Sequence, residues 1–451
     1  MRIFIKNINT KARSNSSEII LVVFILLFGI FLANVIVDFN IIYFGIILLP
    51  FLIYLAVEKP FIFPFGAYVF LLPFDSVLSV VGSAKGATLT KFLGVLTILV
   101  LLLKGIFENK LRKPNIICLW WLLFILYGCV SLFWAIEQSA VMSRIPTAVG
   151  LLILYLIVAS YQITESEYQI LKLFIVAGAF LGSLFLIYLH YKGIFVGGER
   201  TTITIGDRIA DPNGIAFCLL IPITVCMEMI LRSKKTKMVQ GLFLIIFGII
   251  TFGVILTGSR GGLLGVLIIF IVYILFSKQR KMLGALLVLI TVVSIIFTPD
   301  FFIDRIKDTI ETHSGAGRES IWKVGLLMLK KYWMLGAGLN NFHFAYNDFA
   351  FFGSGFKGFG RGSHNIYLGN FVEMGVLGFS FMILAMWKHY QSIYSKMLQE
   401  KTGIIMLKSS FWAILATSFF LDTCWTKSFW LLWVMIIIHE NIMNKENSFK
   451  T

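Results

Sequence analysis

Residues 360–378 read GRGSHNIYLGNFVEMGVLG. The stretch opens as a glycine-rich loop and closes as an apolar helix, carrying His364, Asn365, Asn370 and Glu373 with it. Polar groups at bilayer depth cost free energy unless they are paired or used. Whether this segment enters a membrane therefore decides the fold, and what its polar residues do bears on the function.

The surrounding chain answers the first question. Of 451 residues, 58% are hydrophobic and 14% charged, outside the range of soluble domains. Apolar runs of roughly 18 to 22 residues recur from end to end, each long enough to cross about 30 Å of hydrocarbon. They do not alternate with polar residues, which excludes a barrel. The sequence predicts an all-α polytopic membrane protein with about 12–14 transmembrane helices. Expected spans cover 19–37, 40–57, 61–74, 88–104, 116–135, 147–160, 169–190, 212–230, 239–257, 261–277, 282–298, 363–387, 404–421 and 425–440. Three regions follow: residues 1–298 with the first eleven helices, one large extracytoplasmic loop at 299–362, and the C-terminal helices at 363–451.

The net charge of +16 reflects membrane orientation, not nucleic-acid binding, because the basic residues cluster in short connections. With the amino terminus inside, 23 Lys and Arg fall on the cytoplasmic side and 8 outside, once the eight in the long loop are set aside. Both termini are then cytoplasmic. The first apolar run is long and lacks an A-x-A-like cleavage site, so it is expected to stay as a span. The five cysteines lie in or beside apolar runs without a CxxC pair, as small core residues do.

Within the loop, GRESIWKVGLLMLKKYWMLGAG (317–338) is amphipathic. Ile321, Trp322, Gly325, Leu326 and Leu329 fall near one face, which predicts a helix lying on the outer membrane surface. The glycines that follow predict a mobile remainder.

Four arginines break the orientation rule. Arg200 and Arg208 lie in GGERTTITIGDRIADPNG, Arg260 in the turn TGSRGG, and Arg318 at the start of the amphipathic helix. Each alone would ordinarily snorkel to headgroups or pair with an acid. Three helix starts share their surface: Asp211–Pro212, the glycines after Arg260, and Ser363 as an N-cap. Helix N-termini and guanidinium groups together make an anion site, and a lipid phosphate or pyrophosphate is the anion expected there.

On an ideal helix His364, Tyr367, Phe371, Gly375 and Gly378 share a face, which ends in an imidazole beside that site. Histidine is a proton acceptor near neutral pH. Glu373 projects nearly opposite and about 13 Å deeper, which gives it a structural role through another helix. Asn365 and Asn370 are expected in interhelical hydrogen bonds. His190, His389 and His439 sit near span ends and take ordinary roles. A metal site built from His313, His343 and His364 matches no HExxH-like spacing, so metal-independent chemistry is expected.

Four motifs occur in order: ERTTITIGDRIADPNGIAF, TGSRGG, GRESIW with GAGLNNF, and SHNIYLGNFVEMGVLG. Together they resemble the bacterial O-antigen ligase and polymerase family over roughly residues 195–380. The resemblance implies a C-type glycosyltransferase-like fold acting on undecaprenyl-pyrophosphate-linked glycans, on the extracytoplasmic face of the bacterial inner membrane. It places His364 as the base. It assigns Arg200, or alternatively Arg208, together with Arg260 and Arg318 to the pyrophosphate. Asp211, Asn213, Asn365, Tyr367 and Glu373 are supporting residues. No cofactor is implied, and the partners are the lipid-linked donor, a glycan acceptor and the bilayer. Single displacement would invert the anomeric centre. The expected activity is that of a polysaccharide polymerase, a lean taken from an Ile-, Phe- and Lys-rich composition that fits a cell without a lipid A core. A surface-polymer ligase is the alternative. A glycan flippase would instead carry basic residues at several depths and broken helices near the midplane. For a non-catalytic scaffold, loss of His364 should leave glycan output unchanged.

Overall fold

The computed structural model describes residues 41–78, 88–197, 200–232, 236–284, 286–288, 317–352, 357–394 and 402–448. The expected span at 19–37 lies outside them, as does His313. Of the described residues, those up to Lys59 fall in one compact unit and those from Pro60 onward in a second. The first unit contributes α1 (Ile41–Glu58).

In the second unit, α2 (Phe65–Phe70) is followed by a 3₁₀ turn at Leu72–Phe74. Then come α3 (Leu89–Phe107), α4 (Cys118–Val130), α5 (Gln138–Ser160) and α6 (Glu165–Tyr191). A two-strand hairpin, β1 (Thr204–Ile205) and β2 (Arg208–Ile209), leads into α7 (Pro212–Cys218) and α8 (Leu220–Leu231). Next are α9 (Lys237–Leu256), α10 (Arg260–Phe276), α11 (Arg318–Tyr332) and α12 (Phe342–Phe349). The chain closes with α13 (Ile366–Tyr394), α14 (Thr402–Thr417) and α15 (Lys427–Ser448). Among the described residues, α3, α5, α6, α7–α8, α9 and α13 are long and apolar enough to cross a membrane. The expected span at 282–298 is helical at 280–284 and 286–288, and the rest of it falls outside the described residues.

Local chemistry sets several helix starts. Thr164 and Glu167 form a reciprocal capping box on α6. Asp211 caps α7 ahead of Pro212, and Ser259 caps α10. The α7–α8 segment is the most enclosed, with 89% of its apolar window buried. α8 packs against α6, α9, α10 and α14, and α10 lies along α14. Lys172 and Glu228, both buried, form an ion pair of 2.9 Å that ties α6 to α8.

Two expected spans read differently. Residues 61–74 are not one helix but a short helix and a turn, packed on α6. A Cβ added at Gly178 would lie 2.0 Å from the Phe70 carbonyl oxygen, so glycine permits that approach. Irregular backbone is tolerated at membrane depth when protein buries it.

The span at 363–387 begins at Ile366, and Gly375 interrupts it with φ 58° and ψ −171°, a conformation essentially reserved for glycine. The backbone groups opened by the break are met from the long loop. Ala337 N–H donates to Val372 O at 2.8 Å, Gly338 N–H to Glu373 O at 2.9 Å, and Val376 N–H to Trp333 O at 2.7 Å. This part of the loop was expected to be mobile. Instead it is packed, because its glycines let the backbone press against α13.

The buried face of α11 differs in part from the expected apolar face. Ile321, Val324, Gly325 and Met328 form its buried face, and Leu326 points outward at 59% exposure. The helix docks on α13, where a Cβ at Gly325 would meet Leu368 at 2.7 Å.

Candidate active site

One cavity of about 260 Å³ is lined by Arg200, Asn213, Arg260, Arg318, Arg361 and His364, with Gly258, Gly261 and Ile321. Five segments far apart in sequence contribute to it: the loop after α6, the start of α7, the α9–α10 turn, the start of α11, and the loop before α13.

Arg200 is fixed at both ends of its guanidinium. Nε donates to Thr257 O at 2.8 Å and Nη2 to Asn213 Oδ1 at 2.9 Å. The group thus bridges the end of α9 and the first turn of α7. Arg260 is the first residue of α10, after a turn in which Gly258 has φ 60°. Arg318 is the first residue of α11. Arg361 donates through Nε to Lys357 O at 2.5 Å.

His364 precedes α13 with φ 47°, a left-handed conformation uncommon for residues with a Cβ. Its neighbours are held on both sides. Ser363 O accepts from Trp322 Nε1 at 3.0 Å. Asn365 Oδ1 accepts from the Tyr367 and Leu368 N–H groups at 2.9 and 3.0 Å. The strained backbone between these anchors presents the imidazole to the cavity. His364 is therefore not part of a helical stripe with Tyr367, Phe371, Gly375 and Gly378, and Asn365, not Ser363, caps the helix.

Four arginines and no carboxylate line the cavity. Partial burial lowers the His364 pKa, and so do the charges of Arg318 and Arg361; Asp211 opposes them. The imidazole is therefore neutral at neutral pH and able to accept a proton. Helix N-termini contribute less than the sequence predicts. Asp211 takes the N–H groups of Asn213 and Gly214, Ser259 takes that of Gly262, and Asn365 takes those of α13. The positive field comes from guanidinium groups.

A second chamber of about 290 Å³ shares Arg260, Gly261 and Arg318 with the first and adds Glu319, Leu264, Trp322 and Phe420. The cationic cavity thus continues into an apolar one.

The other expected residues fall elsewhere. Arg208 is exposed on β2 and does not line the cavity. Tyr367 donates to Leu415 O at 2.9 Å, which ties α13 to α14. Glu373 Oε1 accepts from Phe342 N–H at 3.0 Å, fixing the start of α12. Asn370 Nδ2 donates to Ile366 O within its own helix and its side chain also meets the Cys424 thiol in the α14–α15 connection, whereas the Asn365 side chain caps its own helix. His343 feels the charge of Arg144 and not the arginines of this cavity. Arg361 was not anticipated. Its signal was its place three residues before His364, obscured by the general abundance of Lys and Arg in the loop.

The fold and cavity describe an all-α protein with several helices long and apolar enough to span a membrane and a cavity lined by arginines and a histidine. Residues 215–383 match the family model described as O-antigen ligase, which supports assignment to the O-antigen ligase/polymerase family. The matched region contains Arg260, Arg318, Arg361 and His364, with Arg200 and Asn213 just before it. No curated protein matches the chain.

Proposed function

We propose that the protein transfers a glycan from a lipid pyrophosphate, undecaprenyl pyrophosphate in bacteria, to a sugar hydroxyl of an acceptor. The observation that carries this reading is the convergence of Arg200, Arg260, Arg318, Arg361 and His364 on one cavity that opens into an apolar chamber. A pyrophosphate suits the first space and the start of a hydrocarbon chain the second.

In the reaction, the acceptor oxygen forms a bond to the anomeric carbon as the bond from that carbon to the pyrophosphate oxygen breaks. The hydroxyl proton passes to the neutral His364 imidazole. The lipid pyrophosphate leaves with the electron pair, and the guanidinium groups stabilise its growing charge. One displacement inverts the anomeric centre. The donor is already activated, so the step calls for no nucleotide and no metal.

The extracytoplasmic face of the inner membrane is the side where such donors are consumed, and the cavity is proposed to face it. A flippase fits less well. The break in α13 is filled by residues 336–338 and is not an open midplane site. At depth, Lys172 is paired with Glu228, and Lys408 lies over the rings of Phe276 and Tyr394.

The preferred activity is a polymerase whose acceptor is another lipid-linked repeat unit. The description of the matching family favours a ligase as the second reading. Reconstitution with a lipid-linked repeat unit separates them: a product ladder marks a polymerase, and one transfer to a different acceptor marks a ligase. Equal turnover by His364→Ala would remove the catalytic assignment.

A further inference from the structure

A larger cavity, of about 440 Å³, lies between α3 and α5, away from the histidine. Its lining changes character along its length. At the starts of the two helices it holds Lys91, Arg144, Lys427 and Asp75. Farther along the same helices the lining is apolar, with Val95, Ile98, Leu151 and Leu154. The residue spacing on α3 (Lys91, Val95, Ile98) follows one helical face, so this is a continuous groove with a charged head.

Two small residues keep it open. A Cβ added at Gly150 would meet nothing within 4 Å, and one at Gly94 would meet only the Tyr68 ring, at 3.4 Å. Val95 is 56% exposed although it lines the groove, so the apolar wall faces outward from the helices.

The charged head is net positive. Lys427 is bound to Asp75 and donates to Thr90 Oγ1 at 2.8 Å, so that pair largely cancels. Arg144 Nη2 donates to Asn340 Oδ1 at 2.8 Å, and its charge also acts on the carboxyl groups of Asp422 and Glu373. Lys91 is exposed at the mouth. A cationic mouth above an apolar groove complements an amphiphile with a phosphate head and a long chain.

The position relative to the first site adds the argument. The α14–α15 connection touches both. Ser418 O accepts from Ile366 N–H, Phe420 lines the apolar chamber beside Arg260 and Arg318, and Trp425 and Lys427 line this groove. Phe420 and Trp425 are five residues apart, so their Cα atoms lie within about 18 Å. The apolar chamber and the groove therefore meet one short connection through residues five apart.

We propose that this groove holds the lipid phosphate of the acceptor, so that donor and acceptor lipids are bound side by side across the α14–α15 connection. The proposal rests on the glycan-transfer reading for its identification of the occupant as the acceptor. The arrangement places the acceptor's sugar over the connection and within reach of His364, while its chain lies between α3 and α5.

Binding is measured on full-length His364→Ala protein in phosphatidylcholine nanodiscs, with a fluorescent polyprenyl phosphate as probe. Two probes per chain are expected. Gly150→Leu combined with Lys91→Gln should leave one, and Arg200→Ala combined with Arg260→Ala should leave the other. In chains with His364 intact, Gly150→Leu/Lys91→Gln should raise KM for a lipid-linked acceptor at least tenfold. Donor KM, and transfer to a water-soluble acceptor without a lipid, should stay within twofold. One probe per chain before mutation overturns the proposal, as does equal loss with the soluble acceptor. Displacement of the probe from this groove by phosphatidylglycerol at equal affinity overturns it too, by marking a bulk-phospholipid site. Undiminished transfer by His364→Ala would count against the catalytic reading alone, because the probe count does not depend on turnover.

Discussion

Arg200 and Arg208 stand eight residues apart in one motif, and the sequence does not choose between them. The structure predicts opposite outcomes for their removal. Arg200 is half-buried, and its guanidinium is oriented by Thr257 O and Asn213 Oδ1 before any substrate arrives. A donor pre-oriented toward developing negative charge contributes about 2.7–4 kcal/mol to the transition state. Arg200→Ala should therefore lower kcat by about 10²–10³, with a smaller change in KM, because the leaving group is most charged in the transition state. Arg200→Lys keeps the charge, but a single ammonium cannot reproduce the planar fork that meets both anchors. It should recover no more than about tenfold of the loss, given the same magnitudes. Arg208 is exposed on β2, outside the cavity, and Arg208→Ala should stay within about twofold, as surface charges usually do. The assay is transfer from a lipid-pyrophosphate-linked glycan in proteoliposomes, under single-turnover and steady-state conditions. Equal losses at the two positions, or an Arg200→Ala variant with more than about a third of wild-type kcat, would refute the geometric reasoning behind the site.

His364→Ala should reduce transfer by about 10²–10⁴ without loss of folded protein, measured by the same assay together with size-exclusion elution. The His364 pKa is lowered, so the proton-accepting form prevails at neutral pH and activity should fall only as the pH drops below the ordinary histidine value of about 6.5. Arg318→Ala removes a charge that lowers this pKa, so the acid limb should move to higher pH; a shift the other way contradicts the assignment. Gly375→Ala would place a Cβ 2.3 Å from Met334 O in a backbone conformation costing about 1–3 kcal/mol for other residues. It should lower the denaturation midpoint in detergent. Gly248→Ala, with nothing within 4 Å, should leave it unchanged or gain up to about 1 kcal/mol.

The polytopic helical class was legible because bilayer thickness writes itself into run length, as α3, α6 and α9 show. The reading of 61–74 as one helix and the unforeseen break inside 363–387 have a shared reason. Apolar composition reports burial, and these residues are buried by protein in shapes other than a straight helix. Of the candidate site, Arg200 and Arg260 could be named in advance because arginine on the unexpected side of a span is an outlier against a strong rule, and Arg318 and His364 because they stand in the GRESIW and SHNIYLG motifs. Arg361 was hidden because that rule has little force in a long loop, where eight basic residues look alike. The placement of His364 also escaped pattern reading. Periodicity extends a helix up to the last compatible residue, and only backbone geometry shows that Asn365 starts it and His364 stands apart. The cavity between α3 and α5 had no sequence signature, since Lys91, Arg144 and Lys427 meet only through tertiary packing.

The interlock of residues 333–338 with the gap in α13 bears on how such proteins can be engineered. Many enzymes carry their specificity on detachable loops that can be grafted onto a common frame. Here the segment that reaches back from α11 is a missing piece of a neighbouring span. A chimaera that imported the loop alone would leave both halves of the joint exposed. Exchange of substrate preference between relatives should therefore succeed only when loop and span travel as one cassette.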